Sequence, residues 1–430
     1  MSTQWNLQLT LVGTNHKQAP VAIRERLWCR PETLPNRLES LVHGSVSEAV
    51  IVSTCNRTEI YTVSSADAKT PETLMKALAK WSDIPLTQIE QYLYVLTDEA
   101  AVHHLICVAA GLDSLVVGEQ QIQEQLRQAL RVANRAGTSG RFFSELFRHT
   151  DNAATTIRKR SGLDREHVSV SSAVSVMLRH LSKERKIRTI LLVGAGKMIS
   201  LAAEDMAGLP EVEVWVANRT LQRAKALADR IGGRAIRLSD VFETLQKADV
   251  VLTCTSANDY VIGTEELRKA ADKVRPKEII VIDIAVPRNV NPDAKSVPGL
   301  RVYDIDDLAS FIGENRRSLQ PLLEQAERLA LEETESFSAH VRGYEANDVL
   351  RDLMKVAEGI REKELSRALR KLGDVPTREK TILDLLTRRI VNKLLYEPTL
   401  HLKEHATNGD GENYENLIRE LFDLGRQSEQ

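Results

Sequence analysis

The stretch Thr189-Ile190-Leu191-Leu192-Val193-Gly194-Ala195-Gly196 constrains this chain more than any other. Five residues without a charge, four of them apolar, end on two glycines separated by one residue. A strand that is apolar at successive positions is buried on both faces, which places it in a parallel sheet covered by helices. The glycines let backbone amides approach a pyrophosphate at the start of the next helix. The alternation then repeats, with strands over 212–216, 250–253 and 279–283, and helices to about 207 and over 220–230 before Gly232-Gly233. This predicts a doubly wound, Rossmann-type dinucleotide domain. Its loop is Gly194, Ala195, Gly196, Lys197, Met198 and Ile199, and Ile199 stands where the fingerprint has a third glycine. The second strand leads into Asn218-Arg219-Thr220, with no carboxylate for a ribose hydroxyl. Arg219 can pair with a 2′-phosphate instead, so NADPH is expected over NADH.

A second feature precedes this domain. Ala49-Val50-Ile51-Val52 reads as a buried strand and runs into Ser53-Thr54-Cys55-Asn56-Arg57-Thr58-Glu59-Ile60-Tyr61. An unpaired cysteine is usually a small buried hydrophobe. Here it is set among hydroxyls, an amide and an arginine, the kind of polar setting in which a thiol becomes a nucleophile. Strands over 7–13 and 59–63, with short helices near 21–28 and 32–42, make the surroundings an α+β module. Asp98 is expected to cap a helix over 99–110 that carries His104 and ends at Gly111. The bend through Ser114 leads to Glu119, Gln120 and Gln121 at the start of a helix over 119–136. An acid there suits the helix dipole, and two glutamines beside it can read polar edges of a substrate.

At 430 residues, about three domains are expected. The formal net charge of −2 supplies no global field for nucleic acid, and 4% aromatics argue against a stacking platform for single strands. A nucleic-acid surface must therefore be local. Nine Lys/Arg against three acids over 127–165 offer one, although basic helix faces are usually just solvated. Cys29, Cys55, Cys107 and Cys254 form no CxxC and no disulfide framework, which fits a reducing, cytoplasmic compartment. The first residues show no signal-peptide pattern, and no apolar run reaches the roughly 20 residues that cross a bilayer. From Asp306 the pattern is almost wholly helical. Leu319, Leu322, Leu323, Ala326, Leu329 and Ala330 make a stripe, and further helices are expected over 349–372, 377–395 and 414–424, as an oligomerisation appendage.

GTNHKQAP (13–20), STCNRTEIY (53–61), GLDSLVVGEQQI (111–122), GAGKMI (194–199), NRT (218–220) and DIAVPR (283–288) occur in one order along the chain. Together they resemble the glutamyl-tRNA reductase family over essentially the whole length. The resemblance implies a cysteine thiolate at Cys55 that takes the glutamyl group of glutamyl-tRNA(Glu) as a thioester. Hydride from NADPH then releases glutamate-1-semialdehyde, the first step of the five-carbon route to tetrapyrroles. Thr54, Asn56, Arg57, Ser114, Glu119, Gln120, Gln121 and Gln125 are implied as substrate contacts, with Arg57 suited to the glutamate carboxylate. His104 is implied as a second residue important for activity. The implied architecture is a catalytic domain over 1–160, an NADPH domain over 161–305, and a connecting helix with a helical dimerisation domain over 306–430, joined as a V-shaped homodimer. Glutamate-1-semialdehyde aminomutase is a plausible partner and no membrane is expected. Asn289 departs from the family, which commonly has an acid there. Two other readings stay open: an NADP-dependent dehydrogenase of the shikimate type, which would leave Cys55 idle, and a non-catalytic RNA-binding relative.

Overall fold

A computed structural model describes residues 7–65, 70–115, 117–119, 121–165, 170–207, 211–257, 259–274, 278–308, 319–408, 411–422 and 424. Leu7–Leu331 is one compact unit, and a second begins at Glu332.

The first unit opens with a four-stranded antiparallel sheet in the order β2-β3-β1-β4: β1 Leu7–Asn15, β2 Val46–Ser53, β3 Arg57–Ser65 and β4 Tyr94–Thr97. Both β1 and β3 are buried at almost every position, so neither shows the alternation of a half-exposed strand. The sequence places Cys55 where a strand gives way to polar chain; the structure makes that place a hairpin. Ser53 pairs with Thr58, and the Thr54 amide donates to the Arg57 carbonyl at 2.8 Å. Cys55 and Asn56 sit at the tip. Asn15 pairs with Arg57, which brings the end of β1 beside that tip.

The helix Asp98–Ala110 ends on Gly111 at φ 77°, as expected. Its capping differs from the expectation. Thr97 is the N-cap, Asp98 has φ 48°, and its carboxylate accepts the Leu9 amide at 3.0 Å, tying the helix to β1. The next helix is Gln121–Arg135, so Glu119 lies ahead of it rather than in its first turn. The helix Arg141–Ser161 begins on Glu48, whose carboxylate accepts the amides of Gly140, Phe142 and Phe143 at 2.8, 3.2 and 3.1 Å.

The second sheet is parallel, in the order β10-β9-β8-β5-β6-β7: β5 Thr189–Val193, β6 Glu213–Asn218, β7 Arg234–Arg237, β8 Val250–Thr253, β9 Ile279–Asp283 and β10 Leu300–Asp304. This is the doubly wound Rossmann order, with its switch point between β5 and β8. Ile190, Leu192, Val216, Leu252 and Ile282 pack on one face, and Leu191, Val193, Ala217, Val251 and Val281 on the other. That is why these strands read as unbroken apolar runs. The first face also receives Val21, Leu115 and Cys55, so the hairpin tip packs against it.

From Gln320 a single helix runs to Leu372, where the sequence pattern suggests separate helices. Its first stripe matches the expectation: Ala326, Leu329 and Ala330 are buried, while Glu324, Glu327 and Arg328 are exposed. The second unit continues with helices Thr377–Asn408 and Gly411–Leu421, around a core of Val349, Leu350, Leu353, Leu395, Leu402 and Ile418. No helix among the described residues is long and apolar enough to cross a membrane.

Candidate active site

Cys55 opens into a cavity of about 140 Å³. Thr54, Asn56, Arg57, Ser114, Glu119, Gln121 and Gln125 line it from the antiparallel module. Met198, Cys254, Thr255 and the segment Ile284-Ala285-Val286 line it from the carboxyl ends of β5, β8 and β9. The sequence-predicted residues around Cys55 are thus brought together; Gln120 falls outside the described residues. Thr54 shapes the tip, its Oγ1 accepting the amides of Asn56 and Arg57 at 3.2 Å each. Arg24 Nη1 donates to the Cys55 carbonyl at 2.6 Å, and the same guanidinium pairs with Asp306. All four cysteines are free.

Burial pushes the Cys55 thiol up to about 11, and the Glu119 carboxylate adds to the shift; Arg24 and Arg57 oppose it. Burial also raises the Glu119 carboxyl, with Lys197 opposing.

Arg57 lines the cavity and is also held from within the fold. Its guanidinium is buried, donates from Nη1 to Glu59 at 2.6 Å, and pairs through Nη2 with Asp113 at 3.1 Å. Two carboxylates already neutralise it, and of its donor nitrogens Nε is the one without a partner. Glu59 and Asp113 together fix the orientation of the guanidinium beside the hairpin tip. Glu59 is fully buried and also accepts from Tyr61 at 2.7 Å and Tyr94 at 2.6 Å. Burial alone would raise the Glu59 carboxyl, but Arg57 and His104 hold it well below the usual carboxylate range.

His104 belongs to this network. Its Nε2 lies 2.9 Å from Glu59 and 3.5 Å from the Tyr94 hydroxyl, and it does not line the Cys55 cavity. It is linked to the hairpin through Glu59 and Arg57. The run Thr14–Lys17 is linked in a similar way. Asn15 Nδ2 donates to Asp113 at 2.9 Å, and Lys17 pairs with the same carboxylate. Burial and Arg57 lower His16 to about 4, which keeps it neutral at pH 7.

The basic stretch over 127–165 is partly consumed inside the fold. Arg158 is buried, donating to the Ala109 carbonyl at 2.9 Å and to Gln123 at 2.5 Å. Arg127 pairs with Asp151 and Glu124, and Arg131 with Glu124. The local positive field is weaker than the residue count implies.

The loop after β5 fits a dinucleotide. Gly194 has φ 120°, and a Cβ there would meet the Cys254 carbonyl at 2.3 Å, whereas the space at Gly196 is open. Lys197 begins a helix, Met198 turns into the cavity, and Ile199 is buried in the core. Asn218 ends β6 and donates to the Thr220 carbonyl at 3.1 Å, which leaves Arg219 exposed at the strand's carboxyl end. Asp283, buried at the end of β9, accepts from Thr253 Oγ1 at 2.8 Å and from the amides of Asn289 and Val290 at 2.8 and 2.9 Å. Asn289 Oδ1 in turn accepts the Thr255 amide at 2.7 Å. These bonds fix the two loops that face Cys55.

Sequence reasoning missed Glu59, Asp113, Cys254 and the Arg24–Asp306 pair. Glu59 carried a signal in Gly13, with which it pairs in register and where a Cβ would meet Glu59 at 2.8 Å.

The family model for the glutamyl-tRNAGlu reductase N-terminal domain matches residues 12–161. A shikimate / quinate 5-dehydrogenase model matches 177–311, and the glutamyl-tRNAGlu reductase dimerisation domain matches 325–424. A glutamyl-tRNA reductase of Carboxydothermus hydrogenoformans is 36% identical over 97% of this chain and 93% of its own. One from Marinobacter nauticus is 36% identical over 97% of both. The solved glutamyl-tRNA reductase from Methanopyrus kandleri is 29% identical, with a TM-score of 0.53 over 97% of this chain and 99% of that one. Motifs, sheet orders and these full-length matches agree, and the chain belongs to the glutamyl-tRNA reductase family of oxidoreductases.

Proposed function

We propose that this chain reduces glutamyl-tRNA(Glu) to glutamate-1-semialdehyde with NADPH, through a thioester on Cys55. The observation that carries this reading is the shared cavity: Cys55 faces Met198 and Cys254, which lie at the switch point where doubly wound sheets hold their ligands. The Cys55 sulfur attacks the ester carbonyl of the substrate. The carbon–oxygen bond to the ribose then breaks, and the tRNA leaves as the protonated hydroxyl. Nicotinamide held by Gly194 through Ile199 would supply hydride to the thioester carbon; Cys55 would leave as the thiolate when the carbon–sulfur bond breaks and take a proton from solvent, and the aldehyde would depart.

Two properties support an order of events. A cavity of about 140 Å³ is below the roughly 300 Å³ of a small ligand pocket, and the thiol in it is pushed up to about 11. Acylation therefore belongs to an opened arrangement in which water and substrate reach Cys55, and reduction to the closed one. Thioester formation on this account does not require the cofactor. Thr54, Asn56, Ser114, Glu119, Gln120, Gln121 and Gln125 contact the glutamyl end, while Arg57 and His104 hold the hairpin in place. Gly194 through Ile199 and Asn218 through Thr220 carry the cofactor, and Arg219 selects NADPH by its charge. In this reading 1–160 is the substrate domain and 161–305 the cofactor domain. Residues 306–430 dimerise the chain, which works in the cytoplasm and passes its reactive aldehyde to the aminomutase.

Single-turnover assays with glutamyl-tRNA labelled in the amino acid test the reading. Label should appear on the protein without NADPH, chase to semialdehyde when NADPH is added, and be absent in Cys55→Ser. Undiminished tRNA-dependent reduction by Cys55→Ser would reject it.

A further inference from the structure

We infer that His103, Cys107 and Glu327 form a binding site for a divalent metal ion of the zinc class, separate from the Cys55 cavity. His103 and Cys107 are four residues apart on the helix Asp98–Ala110 and share one face of it. Glu327 comes from the second turn of the helix Gln320–Leu372, more than two hundred residues later. The three side chains converge on one point. Cys107 Sγ lies 3.6 Å from His103 Nε2 and 3.8 Å from Glu327 Oε2, and His103 Nε2 lies 3.4 Å from Glu327 Oε1.

Those separations are the edges of a metal tetrahedron. With metal–sulfur near 2.3 Å and metal–nitrogen and metal–oxygen near 2.0–2.1 Å, tetrahedral ligands stand about 3.5 Å apart for N–S and S–O, and about 3.3 Å apart for N–O. The triangle needs adjustments of only a few tenths of an ångström to close around an ion. A catalytic relay is the competing arrangement, and the geometry disfavours it. In a relay the thiol and the carboxylate engage opposite nitrogens of the imidazole. Here both approach Nε2, with Nδ1 farther from the sulfur at 3.9 Å.

The donor set selects the ion. Thiolate and imidazole favour zinc-class metals over magnesium or calcium, which take oxygen ligands. The Cys107 end is buried, while the Glu327 side chain is 52% exposed and that of His103 25%. An ion can therefore enter from solvent on the carboxylate side and keep a water as its fourth ligand. Binding would release the thiol proton and join the 98–110 helix to the first turns of the long helix. None of the three residues lines the Cys55 cavity.

Cobalt(II) is the probe, titrated anaerobically into the full chain after chelator treatment. One equivalent should produce a thiolate-to-cobalt charge-transfer band with the intense visible bands of a tetrahedral ion, and zinc should displace it. Cys107→Ser should abolish the charge-transfer band, Cys55→Ser should keep it, and Glu327→Gln should weaken binding by at least about tenfold, the scale set by lost metal-site partners. Glu327 is exposed, so its variant reports even if Cys107→Ser fails to fold. A band that survives Cys107→Ser, an affinity unchanged in Glu327→Gln, or the lack of a stoichiometric band in the parent chain would each overturn the site.

Discussion

At Cys55, burial and Glu119 act in one direction and the guanidiniums of Arg24 and Arg57 in the other, with burial the largest effect. The thiol is therefore protonated at neutral pH. Its alkylation by iodoacetamide should be slow at pH 7 and climb as pH approaches about 11, because the thiolate is the reacting form. Glu119→Gln removes a negative charge that opposes ionisation and should speed alkylation severalfold at a fixed pH below 9, read by peptide mass spectrometry at Cys55. A slower reaction in that variant would mean that the carboxylate assists the thiol, as a base would. Arg57 offers a second test. With Glu59 buried at 0% exposure, Arg57→Leu leaves a buried carboxylate without its cation, a loss of about 3–5 kcal/mol. The melting temperature should fall sharply, and adding Glu59→Gln should recover part of the loss. Full thermal stability in Arg57→Leu would mean that the pair with Glu59 contributes nothing to the fold.

At the scale of elements, the loop between β5 and the helix Lys197–Ala207 separates two uses of glycine. Gly194 is required by the backbone, since φ 120° is strained for any side chain and a Cβ would strike the Cys254 carbonyl. Gly196 meets nothing within 4 Å, so its bare backbone is available to a ligand. Gly194→Ala should lower thermal stability and cofactor affinity together. Gly196→Ala should leave the melting temperature nearly unchanged and weaken NADPH binding by about tenfold or more, roughly 1.4 kcal/mol. Fluorescence titration with calorimetry checks both, and unchanged NADPH affinity in Gly196→Ala would remove the loop from the cofactor site. The interior strands β5, β8 and β9 were legible because burial on both faces leaves an apolar run. The edge strands β7, Arg-Ala-Ile-Arg, and β10 were not, because charges interrupt them. The single helix Gln320–Leu372 joins what the sequence pattern divides into a stripe from Leu319 and a helix over 349–372.

At the scale of the whole molecule, the helix Thr377–Asn408 leaves Ile382, Leu385, Leu386, Ile390 and Leu394 about half exposed or more. Spacings of three and four put them along one face, an apolar surface larger than a soluble monomer usually leaves uncovered. The dimerisation-domain match over 325–424 contains all five. Leu394→Glu, at a site 70% exposed here, should shift the chain from dimer to monomer in sedimentation velocity without lowering its helix content. Retention of the dimer would move the interface to another face.

The sequence alone determined the two sheet-bearing modules, the helical remainder, the glycine loop and the polar stretch around Cys55, because burial and backbone geometry write a local period into the chain. Tertiary structure decided which charges meet. Arg57 meets Glu59 and Asp113, and His104 meets Glu59 at its Nε2. Arg24 reaches Asp306 across 282 residues, and Cys107 reaches Glu327 across 220. No periodicity records such pairings. A polar side chain's function depends on its partner and on the water excluded around both, and only the packed fold settles those.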